Sequence, residues 1–131
     1  VYNKAFARWF DNNNVTLTGG IMSDYRHRQN GIKLQTSYFE LIREWADKRG
    51  LYEHGDTKTQ ALKLVEEVGE TCRAILKEDD HEAIDGIGDC VVVLTNLAEL
   101  LGVSIEDCIE QAYHEIKDRT GKMNNGTFKK D

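Results

Sequence analysis

The segment from Ile84 to Leu101 is apolar on nearly every face of a helix, and it constrains the fold more than any other part of the chain. Four polar residues in this segment and just before it recur at spacings of three, four and seven: Glu82, Asp85, Asp89 and Asn96. These spacings place the four side chains along one stripe of a helix. An unpaired carboxylate in so apolar a helix costs several kcal/mol, so the stripe predicts a cation beside it.

A second acidic cluster lies in the preceding segment. Glu66, Glu67 and Glu70 share one arc of about 100° on a helix. The apolar residues of this segment fall on the opposite side: Leu62, Val65, Val68, Cys72, Ile75 and Leu76. Because two or three residues connect the segments, we expect an antiparallel hairpin in which Glu70 lies level with Asp89. Four or five carboxylates then converge on one patch.

The rest of the chain predicts an all-α fold, an antiparallel bundle of four to five helices. The sequence contains no proline and no useful stretch of alternating apolar and polar residues. The predicted helices cover 1–13, 34–49, 58–78, 80–101 and 105–120. Residues 14–31 read as a loop, and Asn125-Gly126 as a turn in a polar tail. We divide the chain into a short helix and arm over 1–30 and the main domain over 31–131.

Charge and composition exclude several classes of partner. The net charge is −6, and no run of Lys or Arg is long enough to follow a nucleic-acid polymer. No stretch reaches about 18 apolar residues and no leader sequence is recognisable, so a cytoplasmic protein without a membrane partner is expected. The three cysteines lack the spacing of metal ligands and are predicted to be buried free thiols.

The chemistry of the acidic patch favours a hard divalent cation. All its candidate ligands are carboxylates and no His or Cys aligns with them, which suits Mg²⁺ or Mn²⁺ and not structural Zn²⁺. Mg²⁺ commonly completes its coordination with substrate phosphates. The alternative is a solvated acidic face, which the apolar surroundings of Asp89 disfavour. The pattern therefore predicts a site that handles phosphate groups.

Three blocks of sequence, in order, resemble the MazG-type nucleoside triphosphate pyrophosphohydrolases. Residues 64–70, followed by Ala74-Ile75, look like the family's Glu-Glu-x-x-Glu motif. Residues 87–98 look like its second acidic helix. Residues 113–122, followed by Gly126-Thr127-Phe128, resemble its closing segment in small phage-borne members. The resemblance covers residues 34–131.

One position departs from the family pattern. The second family motif is Glu-x-x-Asp, but the residue three before Asp89 is Gly86. Asp85 reaches the same helix face, since residues i and i+4 are neighbours. Glu82 and Asp85 fit the motif literally but move the site one turn toward the connection. We favour Asp85 with Asp89 and keep Glu82 as the alternative.

The resemblance implies hydrolysis of a (d)NTP to the monophosphate and pyrophosphate, with Mg²⁺ or possibly Mn²⁺ as cofactor. It assigns the metal to four carboxylates: Glu67, Glu70, Asp85 and Asp89. Glu66 is the expected catalytic residue, which orients or deprotonates the attacking water. Four further residues are candidate substrate contacts: Asn96, Arg119, Lys122 and Trp45. Their alternatives are a contact between subunits for Asn96, solvated charges for Arg119 and Lys122, and a core position for Trp45.

The resemblance also implies a homodimer, or a homotetramer built as a dimer of dimers. The apolar residues of 91–101 point in nearly all directions, which is more apolar surface than a small bundle covers alone. Other enzymes with this carboxylate arrangement stay open: an all-α dUTPase or dCTPase-like diphosphatase, or a phosphoribosyl-ATP pyrophosphohydrolase. A non-catalytic, metal-stabilised oligomeric interaction module is the alternative outside enzymes.

Overall fold

The computed structural model describes residues 37–131, and within them five helices and one β-hairpin. The helices are α1 (Tyr38–Lys48), α2 (Leu51–His54), α3 (Thr57–Leu76), α4 (Asp80–Leu100) and α5 (Ile105–Ile116). The strands are β1 (Gly121–Asn124) and β2 (Thr127–Lys130). The helix and loop predicted over 1–31 lie outside the described residues.

The helices begin where side chains satisfy the first backbone N–H groups. Asp56 accepts a hydrogen bond from the Thr59 N–H at 2.8 Å, and Ser104 accepts one from Asp107 at 3.1 Å. Both caps confirm the predicted start of a helix. Ser37 and Glu40 form a capping box at the start of α1.

Helices α3 and α4 form the predicted antiparallel hairpin, joined by residues 77–79. Thr71 faces both Gly86 and Cys90, and its Oγ1 lies 3.8 Å from Cys90 Sγ. The approach is so close that a Cβ on Gly86 would collide with Thr71 Oγ1 and lie 3.1 Å from Thr71 Cβ. Glycine at position 86 is therefore a packing requirement of this helix pair.

Helix α4 is the centre of the fold, because α1, α2, α3 and α5 all contact it. Arg43 of α1 makes a two-pronged ion pair with Glu106 of α5, with both N–O distances at 2.9 Å. Tyr52 of α2 donates a hydrogen bond to Asn96 Oδ1 at 2.7 Å. These polar contacts fix the smaller helices on the apolar core helix.

The apolar stripe of α3 points away from α4. Instead, Glu67, Thr71 and Ala74 form the buried face of this helix. The stripe is exposed, with Leu62 at 73% and Leu76 at 85% of their full accessibility. Helix α3 therefore buries the Glu67 carboxylate and exposes its apolar side chains.

The C-terminal segment adds a small β-hairpin, which was not predicted, to an otherwise all-α fold. Helix α5 ends at Ile116, not near residue 120, and residues 121–130 form an antiparallel hairpin. Its turn is the predicted Asn125-Gly126, in which both residues have positive φ, 49° and 78°. The four-residue helix α2 was not predicted either. Among residues 37–131 no single helix is long and apolar enough to cross a membrane; α4 and α5 pass that test only together, bent by 104°.

Candidate active site

Glu66 and Glu67 share one countercharge, the ammonium group of Lys63. Lys63 Nζ lies 2.8 Å from Glu67 Oε1 and 3.2 Å from Glu66 Oε1. Hydrogen bonds to Glu67 and Glu66 raise the pKa of Lys63 above its usual value. Glu67 is 7% exposed, whereas Glu66 lies at the open edge of the helix. Of the two, Glu66 is the residue that water reaches.

Asp89 of α4 lies in the field of the other carboxylates. Burial raises the pKa of Asp89, and the charges of Asp85, Glu67 and Glu70 raise it further, while Lys63 opposes them. Both α3 and α4 therefore contribute carboxylates to one electrostatic environment. The side chain of Asp89 nevertheless keeps an accessible surface, so it is open to a ligand.

These residues fit a divalent cation in donor chemistry and in charge. Carboxylate oxygens are the ligands of Mg²⁺ and Mn²⁺, and burial, followed by repulsion from Asp85, Glu67 and Glu70, raises the pKa of Asp89. Among residues 37–131, however, no three Asp, Glu, His or Cys side chains are close enough together to hold a metal. The carboxylates would have to rotate toward one another when a cation binds.

The helix contact at Gly86 helps to decide whether Asp85 or Glu82 is the second candidate metal ligand beside Asp89. A glutamate at position 86 would collide with Thr71, so the family's usual residue is sterically excluded here. Asp85 acts directly on the pKa of Asp89 and lines the same cavity. Glu82 lines a different cavity, with Glu70. The arrangement favours Asp85 as the partner of Asp89.

Two open cavities lie beside the carboxylates. The larger, about 550 Å³, lies between α1 and α4 and is mostly apolar apart from two carboxylates and an imidazole. Its lining residues are Ile42, His81, Ile84, Asp85, Gly88, Asp89, Val91 and Val92. The smaller, about 350 Å³, is polar and lies at the connection between α3 and α4. Its lining residues are Glu70, Arg73, Ala74, Lys77, Asp79 and Glu82.

The predicted substrate contacts are not gathered at the carboxylates. Asn96 is 2% exposed, and Tyr52 donates to its Oδ1. Trp45 is half exposed rather than in the core, and the Arg49 guanidinium lies 4.4 Å from its ring centroid. Arg119 and Lys122 are exposed, in or beside a hairpin whose strands pack mainly on each other. A substrate role for any of the four stays a prediction.

Several residues of these cavities were missed by sequence reasoning. Arg73 and Lys77 share the helix face of Glu70, at i+3 and i+7, so the signal was present in the spacing. His81 lies four residues before Asp85 on the same helix, so its spacing was also a local signal. Ile42 gave no such signal, since only the packing of α1 on α4 brings it to this cavity.

Two comparisons with known proteins give a match over the middle of the chain or a part of it. The family model for the MazG nucleotide pyrophosphohydrolase domain matches residues 56–123. A protein of Haemophilus phage HP1, described as an uncharacterized 18.2 kDa protein in the rep-hol intergenic region, is 41% identical over 58 residues. That match covers 44% of this chain and 36% of the phage protein. The search of solved structures gave no significant match. Because the family model spans more than half of its length, the chain belongs to the MazG nucleotide pyrophosphohydrolase domain family.

Proposed function

We propose that this protein is a divalent-metal-dependent hydrolase that converts a nucleoside triphosphate to the monophosphate and pyrophosphate. The observation that carries the proposal is that Asp85 and Asp89 line one cavity, where burial, and then the charges of Asp85, Glu67 and Glu70, raise the pKa of Asp89. A cation stabilises the ionised form of a carboxylate in such surroundings. Membership in the MazG family supports nucleotide pyrophosphohydrolase activity in general.

In the proposed reaction, Glu67, Glu70, Asp85 and Asp89 hold the metal. A divalent ion supplies positive charge that neutralises the phosphates and makes water more acidic. Glu66 takes a proton from the attacking water, whose oxygen forms the new bond to the α-phosphorus. The bond from that phosphorus to the α–β bridging oxygen breaks, and its electron pair leaves with pyrophosphate. The accessible carboxylate of Glu66 suits this role better than the buried Glu67.

The larger cavity is the proposed site of the nucleobase. It opens directly beside Asp85 and Asp89, and its walls include the apolar side chains of Ile42, Ile84 and Val92. Apolar walls with a few polar groups are typical of small-molecule sites. His81, at its edge, is the group available for hydrogen bonds to a base.

The test is release of pyrophosphate from the eight common (d)NTPs with Mg²⁺ or Mn²⁺. We expect metal-dependent formation of monophosphate and pyrophosphate, lost in Asp89→Ala. Glu66→Gln should fold and bind Mn²⁺ like the wild type but lose turnover by about 10²-fold or more, the usual contribution of a general base. Turnover of Glu66→Gln at the wild-type rate would disprove the role of Glu66. Clear metal binding without hydrolysis of any (d)NTP would favour a modified or non-standard nucleotide as substrate first, and the non-catalytic module second.

We further propose that the protein is a homo-oligomer, a dimer or a dimer of dimers. The exposed apolar stripe of α3 supports this, since contiguous apolar surface on a helix commonly marks an interface.

A further inference from the structure

The smaller cavity is lined by two positively charged side chains that have no role in the reaction as proposed so far. Arg73 and Lys77 line it together with Glu70, Asp79 and Glu82. Neither cation makes an ion pair within 4.0 Å among residues 37–131, although three carboxylates line the same cavity. Lys63, on the same helix, contrasts with them because it is paired with both Glu66 and Glu67.

Two unpaired cations one turn apart repel each other. Like charges at i and i+4 disfavour a helix, whereas the position of both groups at the C-terminal end of α3 is favourable toward the helix dipole. Their positions in an open cavity leave both groups accessible to an anion. Arg offers a planar fork of donors and Lys a compact charge, and both are common ligands of phosphate oxygens.

The order of residues along α3 relates the smaller cavity to the proposed reaction. Glu66, Glu70, Arg73 and Lys77 lie within an arc of about 60° on one side of the helix. At 1.5 Å per residue, Arg73 and Lys77 lie about 10 and 16 Å from Glu66 along the axis, with Glu70 between. Glu66, the proposed base that activates water, therefore lies at one end of this row of side chains. Arg73 and Lys77 lie at the other end, beyond Glu70.

We infer that Arg73 and Lys77 form the subsite for the β- and γ-phosphates, which leave as pyrophosphate. This inference rests on the proposed function, in which water attacks the α-phosphorus. In-line displacement requires the attacking and leaving oxygens on opposite sides of that phosphorus. With Glu66 on the side of the water, the leaving group lies toward Arg73 and Lys77. Their positive charges stabilise the negative charge that develops on the departing pyrophosphate.

The direct test is binding of inorganic pyrophosphate, measured by calorimetry with Mg²⁺ present. We expect Arg73→Gln and Lys77→Gln each to weaken pyrophosphate binding by about 10-fold, and the double variant by about 100-fold, as for the loss of charge-assisted hydrogen bonds. Binding of a nucleoside monophosphate should change less than about twofold, because the α-phosphate lies at the carboxylates. Gln keeps helix propensity close to that of Arg and Lys, so α3 should stay folded.

Lys58→Gln is the matched control, since Lys58 is exposed on the first turn of α3 and lines neither cavity. It should bind pyrophosphate like the wild type. Wild-type pyrophosphate binding by the double variant would overturn the inference, as would an equal loss of monophosphate binding. Failure of this inference can be distinguished from failure of the proposed function. Pyrophosphate binding that depends on Arg73 and Lys77 supports the subsite even if no (d)NTP is hydrolysed, whereas hydrolysis unaffected by the double variant overturns it.

Discussion

At the scale of single residues, Lys63 determines the charge state of the site without a metal. Glu67 is buried, so its carboxylate requires a positive partner, and Lys63 Nζ supplies it at 2.8 Å. A divalent ion bound at Glu67, as proposed above, would compete with Lys63 for the same oxygens. In that proposal Lys63 stabilises the metal-free protein and would have to move, at least in part, for the metal to bind.

Replacing Lys63 with Ala should make the protein depend on metal for stability. Without Lys63, the buried Glu67 carboxylate has no positive partner, so we expect a lower Tm in the absence of metal. Mn²⁺ should raise the Tm of this variant more than that of the wild type. A ligand at 100 times its Kd adds about 2.7 kcal/mol of stability. Thermal melts with and without Mn²⁺ check the result, with Lys58→Ala as control. Equal Mn²⁺ shifts in both proteins would contradict it.

At the scale of helices, the contact between Thr71 and Gly86 sets the distance between the two acidic helices. Thr71 Oγ1 donates to the Glu67 carbonyl at 2.7 Å, which holds its side chain against α4. Gly88, two residues further along α4, has no atom within 4 Å of the position of a Cβ. The two glycines thus differ in packing while sharing one helix.

This difference predicts opposite effects of the same substitution. Gly86→Ala forces a methyl group into Thr71 and should cost about 1–3 kcal/mol, the usual cost of overpacking. Gly88→Ala gains helix propensity without a collision and should stabilise by about 0.5–1 kcal/mol. Urea unfolding of both variants measures the contrast. If Gly86→Ala were as stable as Gly88→Ala, the close helix contact would be wrong.

The ion pair between α1 and α5 predicts a pH-dependent contribution to stability. Hydrogen bonds from Arg43 lower the pKa of Glu106 below its ordinary 4.5. The stabilisation is therefore complete above pH 4.5 and is lost as pH falls through the lowered pKa. Glu106→Gln should lower stability by about 0.2–1 kcal/mol at pH 7, since solvent screens a partly exposed pair. In thermal melts, the difference in Tm between variant and wild type should shrink as pH falls below 4.5. A constant difference would argue against the pair.

Sequence patterns predicted the helical elements better than the contacts between them. The capping side chains of Asp56 and Ser104 are local signals, and both helices start as expected. The two strands are short and polar, so only their Asn125-Gly126 turn was visible in the sequence. The hydrogen bond of Asn96 joins residues 44 positions apart, and no local pattern encodes it. The composition of the carboxylate cluster and its pairing with Lys63, at i+3 and i+4, are local, whereas the two cavities depend on tertiary packing.

At the scale of the whole molecule, charge and hydrophobic surface are unevenly distributed. Residues 37–116 contain 7 Lys and Arg against 19 Asp and Glu, whereas residues 117–131 contain 5 against 2. Fully buried apolar side chains are small or few in the described part: Ala46, Ala74, Val93, Ala98 and Ile105. Large apolar side chains are instead exposed on α3 and α5. One copy of the chain leaves apolar surface uncovered that a second copy can bury.

The α3 stripe is where we expect the two copies to meet. Leu62, Val65 and Leu76 point away from α4, and all three are more than two-thirds exposed. Light scattering coupled to size exclusion should therefore show a dimer or tetramer for the wild type. Leu62→Lys combined with Leu76→Lys should dissociate it, since each buried charge costs several kcal/mol. Tyr38→Lys is the control, because Tyr38 is 82% exposed on α1, away from the stripe. A wild type that stays monomeric at micromolar concentration would refute the proposal. An oligomer that persists with both Lys substitutions would instead place the interface on α5. There Ile109, Tyr113 and Ile116 form the other exposed apolar face.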